Sequence, residues 1–139
     1  MLKDVAGAYY EQGYNCAESI LHAGNDYYDL GLCEHDMRMV AAFGGVFQIG
    51  DVCGALSVAA RVISSKYIET KAHDQKTEIA KVTQKLVLAF QKRMGARTCA
   101  KIKPVFYSKD VKCYNTVTTA AEVLEQVIQE WEEEGKDNA

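Results

Sequence analysis

Proline occurs once, at Pro104, in a chain of 139 residues, and no stretch shows the alternating apolar and polar pattern of a half-buried strand. With a single proline and no strand patterning, the sequence points to helices. No apolar run reaches the ~18 to 20 residues of a membrane helix, so insertion into a membrane is not expected. No unbroken basic run is present and the net charge is -3, which argues against nucleic acid or an anionic membrane as the main partner. Met1-Leu2-Lys3-Asp4 leads into a helical pattern instead of a secretory signal, which gives a cytoplasmic reading. No C-x-x-C-H occurs, so covalent haem is not expected, and no C-x-x-C of any kind is found.

Cysteine itself is plentiful. Five are present, at 16, 33, 53, 99 and 113. Structural disulfides are rare in a reducing compartment, so five thiols in a chain this short need another explanation. A chain that is 48% hydrophobic and 25% charged is one ordinary globular domain, here residues 1–139 with an acidic, frayed end at Glu132-Glu133-Glu134-Gly135.

Apolar positions spaced by three and four residues predict an all-α, up-and-down bundle of about five to six helices. The first covers Leu2 to Gln12, with Val5, Ala8 and Tyr9 on one side, and stops at Gly13. Asn15 and Glu18 form a box-like start for the second, whose face carries Cys16, Ile20, Ala23 and Tyr27. A short third helix opens at His35-Asp36, after Cys33 in the turn. The fourth begins at Cys53 and carries Leu56, Ala60, Ile63 and Tyr67 inward. The fifth follows His73-Asp74 with Ile79, Val82, Leu86, Phe90 and Met94, and reads as the spine. Gly95 to Lys112 reads as an irregular connection, long enough to suggest function. A last helix, capped by Asp110, lines up Cys113, Val117, Ala120, Leu124, Val127 and Trp131.

The stretch Phe43 to Ala55 is unlike the rest: a glycine-rich loop that delivers Cys53 to a helix start. Its glycines have the spacing of a phosphate loop, but Asp51-Val52 stands where Lys-Ser/Thr is needed. Gly44, Gly45, Gly50 and Gly54 are therefore expected to permit tight turns or close backbone approach to a sulfur site. Successive cysteines are separated by 17, 20, 46 and 14 residues, which alone would be dismissed as scatter. Alternating helix direction changes this, because Cys16, Cys53 and Cys113 then sit at helix starts on one end, Cys99 follows the returning fifth helix, and Cys33 lands at the other. Helix N-termini, with Lys92, Arg93, Arg97, Lys101 and Lys103 nearby, are expected to favour thiolate. His22, His35 and His73 lack ligand spacing, and the eight tyrosines read as core.

At Gly13-Tyr14-Asn15-Cys16-Ala17, Phe43-Gly44-Gly45, Cys53-Gly54-Ala55-Leu56-Ser57 and then single Cys99 and Cys113, the chain resembles the C_GCAxxG_C_C family of redox-active proteins. The resemblance runs from Gly13 to about Ile128 and leaves Cys33 outside it. It implies a redox role, and a similar domain in split-Soret cytochromes is associated with an iron-sulfur centre. The chain departs from the family pattern at Val58, where a glycine is expected, and at Val46, where a third consecutive glycine is common.

The leading expectation is thus a four-cysteine site of Cys16, Cys53, Cys99 and Cys113 that binds an iron-sulfur cluster, [2Fe-2S], for electron transfer with a redox partner protein. Metal-free dithiol/disulfide chemistry, a closed four-cysteine zinc site, and a helical interaction module with merely packed cysteines are the alternatives. A cluster shared between two chains would make the protein a homo-oligomer. No catalytic acid, base or substrate pocket can be named from the sequence.

Overall fold

The computed structural model describes residues 1–44 and 46–137. Among these the chain forms seven α-helices and no extended strand. They are α1 (Leu2–Glu11), α2 (Cys16–Tyr28), α3 (Glu34–Arg38), α4 (Gly54–Tyr67), α5 (Lys76–Met94), α6 (Cys99–Phe106) and α7 (Tyr114–Asp137). A 3-10 turn at Ala41–Phe43 and a π-helical turn at Val46–Gly50 connect α3 to α4. No helix among the described residues is long and apolar enough to cross a membrane.

The fold class is all-α, as the helical periodicity predicts, and the additional helix is α6. It occupies part of the Gly95–Lys112 connection that reads as irregular, and it contains Pro104. One proline removes a single intrahelical bond, and α6 ends at Phe106, before a second turn beyond it would be needed.

The spine is α7 and not α5. It packs on α1, α2, α4 and α5, while α2 also packs on α1 and α4. Its line of Val117, Ala120, Leu124 and Val127 is buried as expected, joined by Ala121, Val123 and Ile128. Each such large aliphatic side chain contributes about 1.5–3 kcal/mol when removed from water. On α5, Val82, Leu86, Phe90 and Met94 keep the predicted inward face, and Gly95 closes the helix at φ 78°. Two faces differ from the periodicity. On α1 the buried residues are Leu2, Ala6 and Gly7, and Ala8 points outward. Gly7 faces the start of α7: a Cβ there would sit 2.7 Å from the Tyr114 hydroxyl, so a larger residue would have to push the Tyr114 side chain aside. On α2, Tyr27 is exposed, and the small Gly24 turns inward instead.

Lys85 bridges α5 to Glu130 and Glu134 at 3.2 and 2.9 Å, Lys66 reaches Glu132 at 3.2 Å, and Arg93 pairs with Glu122. The acidic end of α7 is thereby tied to α4 and α5, although each exposed pair is worth only about 0–1 kcal/mol.

Candidate functional site

Four helices begin at one end of the bundle, and each has a cysteine at its first residue or immediately before it. Cys16 is the first residue of α2, Cys53 immediately precedes α4, Cys99 is the first residue of α6, and Cys113 immediately precedes α7. All four line a single small cavity of about 20 Å³. Cys33 is elsewhere, exposed ahead of α3, with its backbone N–H and its thiol donating to Asp36 at 3.0 and 3.3 Å. The four thiols separated by topology from the fifth are thus together.

Each sulfur has its own positioning device. At Cys16 it is the capping box: Glu18 N–H donates to the Asn15 side chain at 2.9 Å and Asn15 N–H donates to the Glu18 carboxylate at 3.1 Å. Asn15 also donates to the Ala41 carbonyl at 2.9 Å, which ties the start of α2 to the turn before the glycine loop. Cys53 and Cys99 are set by a one-residue antiparallel bridge between Val52 and Thr98. Across it Cys53 N–H donates to Arg97 O at 2.7 Å and Cys99 N–H donates to Asp51 O at 2.8 Å, which fixes two helix starts side by side. Cys113 is held from α1, where the Tyr10 hydroxyl accepts its N–H at 3.0 Å.

The supporting glycines sit where a side chain would collide or the backbone turns left-handed. Gly54 lines the cavity, and a Cβ there would collide with the Phe43 carbonyl oxygen and lie 3.4 Å from Cys16 Sγ. Gly50 has φ 71°, a left-handed conformation, facing Ala100 of α6. A Cβ at Gly44 would meet the Asn15 amide at 2.5 Å. Gly45 lies outside the described residues. Val58, in place of the motif glycine, is fully buried, and α2 approaches α4 through Gly24, where a Cβ would lie 2.6 Å from Val62.

Burial opposes the expected electrostatics at Cys53 and Cys113. The Cys53 thiol is pushed up to about 12 by desolvation, although the N–H groups of Leu56 and Ala55 hydrogen-bond to the sulfur and oppose the shift, while Cys16 and Cys99 add to it. Burial also raises the Cys113 thiol, with Cys99 adding and with Lys103 and the Tyr10 hydrogen bond opposing. Helix N-termini are present as predicted, but the cost of a bare thiolate out of water outweighs them. Cys53 is a neutral thiol at neutral pH.

Tyr10 is the neighbour of the pocket that sequence reasoning missed. It reads as one core tyrosine among eight, and its only signal is its place one turn after Ala6 on the buried face of α1. Ile102 and Thr116 also line the cavity, from helix positions that carry no motif. His22 stacks on Tyr9 at 4.7 Å and meets the Tyr14 ring tilted at 4.4 Å, beside a larger surface hollow that includes no cysteine.

The donor set around the cavity is four sulfurs with neither carboxylate nor imidazole, the chemistry of a thiophilic centre. Its dimensions are those of a closed pocket. About 20 Å³ is the space of one water, and among the described residues no three Cys, His, Asp or Glu side chains converge closely enough to hold one ion. No disulfide occurs among the described residues, which include all five cysteines.

No curated protein and no solved structure matches this chain. A family pattern does match, over residues 14–127, a span that starts just before Cys16 and passes beyond Cys113. The chain belongs to the family described as "Putative redox-active protein (C_GCAxxG_C_C)".

Proposed function

We propose that the protein carries electrons through an iron-sulfur centre, [2Fe-2S], for which Cys16, Cys53, Cys99 and Cys113 are the ligands. The observation that carries this reading is the lining of one cavity by four thiols from four separate helix starts. Such a centre, when bound, supplies a one-electron couple whose potential follows burial and hydrogen bonds to sulfur. The chain's own part is to present the sulfurs, release their protons and donate to them. Cys53 must lose a proton held at about 12, so loading releases protons and is favoured as pH rises. The N–H groups of Ala55 and Leu56 are already aimed at that sulfur. Anaerobic purification with iron and sulfide analysis and a visible spectrum tests the reading. Stoichiometric iron and sulfide with charge-transfer bands are expected, and colourless, iron-free protein from an iron-replete host contradicts it.

The closed pocket favours a second reading, metal-free dithiol/disulfide exchange. Cys53 with Cys16 would form an S–S bond while losing two protons and two electrons to a partner disulfide, which becomes a dithiol. Thiol trapping and mass spectrometry after oxidation should then find a bridge within the cluster; four unreactive, always-reduced thiols would remove this reading. Stoichiometric zinc without a redox wave would assign the site to zinc instead.

A further inference from the structure

Ten large apolar side chains stand exposed among the described residues, and six belong to the segments that abut the four-thiol pocket. Phe47, Ile49 and Val52 lie on the turn that leads into Cys53, at 57%, 75% and 42% exposure. Val105, Tyr107 and Val111 lie on α6 and on the turn after it, Val105 at 75%. The Val52–Thr98 bridge joins the two segments, and Gly50 packs toward Ala100. A second turn, closed by hydrogen bonds of 3.2 and 2.7 Å between Ser108 and Lys112, brings Val111 and Lys112 back beside Tyr10.

Charge is concentrated on the same collar. Between Gly95 and Lys112 there are five basic residues, set against Asp110 and against Asp51 on the turn before Cys53, in a chain whose net charge is -3. Arg97, Lys101, Lys103, Lys109 and Lys112 are exposed. Lys103 lines the pocket itself, and its Nζ lies 5.2 Å from the centre of the Tyr107 ring. Glu130, Glu132, Glu133 and Glu134 fall in the last turns of α7, roughly 25 Å away along a helix that rises 1.5 Å per residue. Basic side chains thus outnumber acidic ones on α6 and the turn after it, at the thiol end.

We infer that this apolar collar, fringed by Lys101, Lys109 and Lys112, is the docking face for an acidic electron-carrier protein. The inference rests on the redox reading of the four-thiol pocket. An apolar centre with a basic fringe suits a transient protein partner, with steering supplied by the opposite charge. A second copy meeting face to face would set one basic collar against another, which disfavours a symmetric dimer here.

The test titrates the protein as purified with two acidic carriers, a ferredoxin and a flavodoxin, by calorimetry at low and at about 0.3 M salt, where the Debye length falls well below 10 Å. Binding at low salt is expected, weakened about tenfold or more by salt and by the triple change Lys101→Glu, Lys109→Glu, Lys112→Glu. Ile49→Ser with Val105→Ser should weaken it at both salt levels while leaving the thiol titration unchanged. No binding of either carrier, or binding indifferent to the charge reversal, overturns the inference. So does loss, on the same reversal, of self-association or of binding to phosphatidylglycerol vesicles in place of carrier binding. Stopped-flow electron transfer separates the two levels. Carrier bound without electron exchange sinks the redox reading and leaves the face; a centre reduced by dithionite with no carrier bound does the opposite.

Discussion

Leu124, midway along α7, is buried among side chains of neighbouring helices, whereas Cys53 and Cys99, at the end of the bundle, are placed by two backbone hydrogen bonds across a one-residue bridge. The first arrangement is redundant, since losing one methyl group leaves many contacts. The second is specific, since each sulfur depends on a named partner: the Asn15–Glu18 box, the Arg97 and Asp51 carbonyls, the Tyr10 hydroxyl. The body of the protein stores stability, and the thiol end spends little of it to hold a particular geometry.

The sharpest contrast should come from truncation. Leu124→Ala is expected to lower stability by about 3–4 kcal/mol, because a buried leucine is lost and a cavity remains. Cys16→Ala, which removes one small, half-buried sulfur, should lower it by only about 1 kcal/mol. Urea unfolding measures both, and equal losses would erase the distinction between the two regions.

Alkali probes the thiol end next. The Cys53 thiol is held at about 12, above its ordinary value of 9.0. A raised thiol pKa means that the folded state binds its proton more tightly than the unfolded chain. Its contribution is therefore fully present below about pH 9 and is lost as pH rises from 9 toward 12. The urea midpoint should fall across the accessible part of that window, and fall less steeply in Cys53→Ala. Parallel curves for the two proteins would show that burial of this thiol is not coupled to folding.

The body of the fold is legible in the sequence because helical period reports burial directly. Val82, Leu86, Phe90 and Met94 on α5, and Val117 through Val127 on α7, fall inward as spaced. On α2, Ile20 and Ala23 fall inward as spaced, whereas the buried Gly7 of α1 and Gly24 of α2 are not legible, because glycines at close helix crossings carry no apolar signal. The grouping of Cys16, Cys53, Cys99 and Cys113 follows from alternating helix direction, and Gly95 is readable as the cap that returns the chain to that end. The bridge between Val52 and Thr98 is invisible in sequence, since it is made by backbone atoms alone. The thiol electrostatics depart from expectation for a related reason: a helix N-terminus can be seen in sequence, whereas the depth at which Cys53 is buried depends on everything packed around it.

The smallest effect belongs to Tyr10. Tyr10→Phe should cost about 0.5–1 kcal/mol of stability, the value of one hydrogen bond. The Tyr10 hydroxyl lowers the Cys113 thiol pKa, so its removal should slow alkylation of Cys113 by roughly threefold at neutral pH while leaving Cys33 unchanged. Residue-resolved alkylation rates from mass spectrometry would read this, and unaltered Cys113 kinetics would confine Tyr10 to packing.

Iron and sulfide content of anaerobically purified protein, measured side by side in the five single Cys→Ser variants, tests the shared pocket most directly. Loss of cluster from the variants at Cys16, Cys53, Cys99 and Cys113, with full retention at Cys33, is the predicted result. A cluster that survives replacement of any two of those four singly, or one that depends on Cys33, would contradict it.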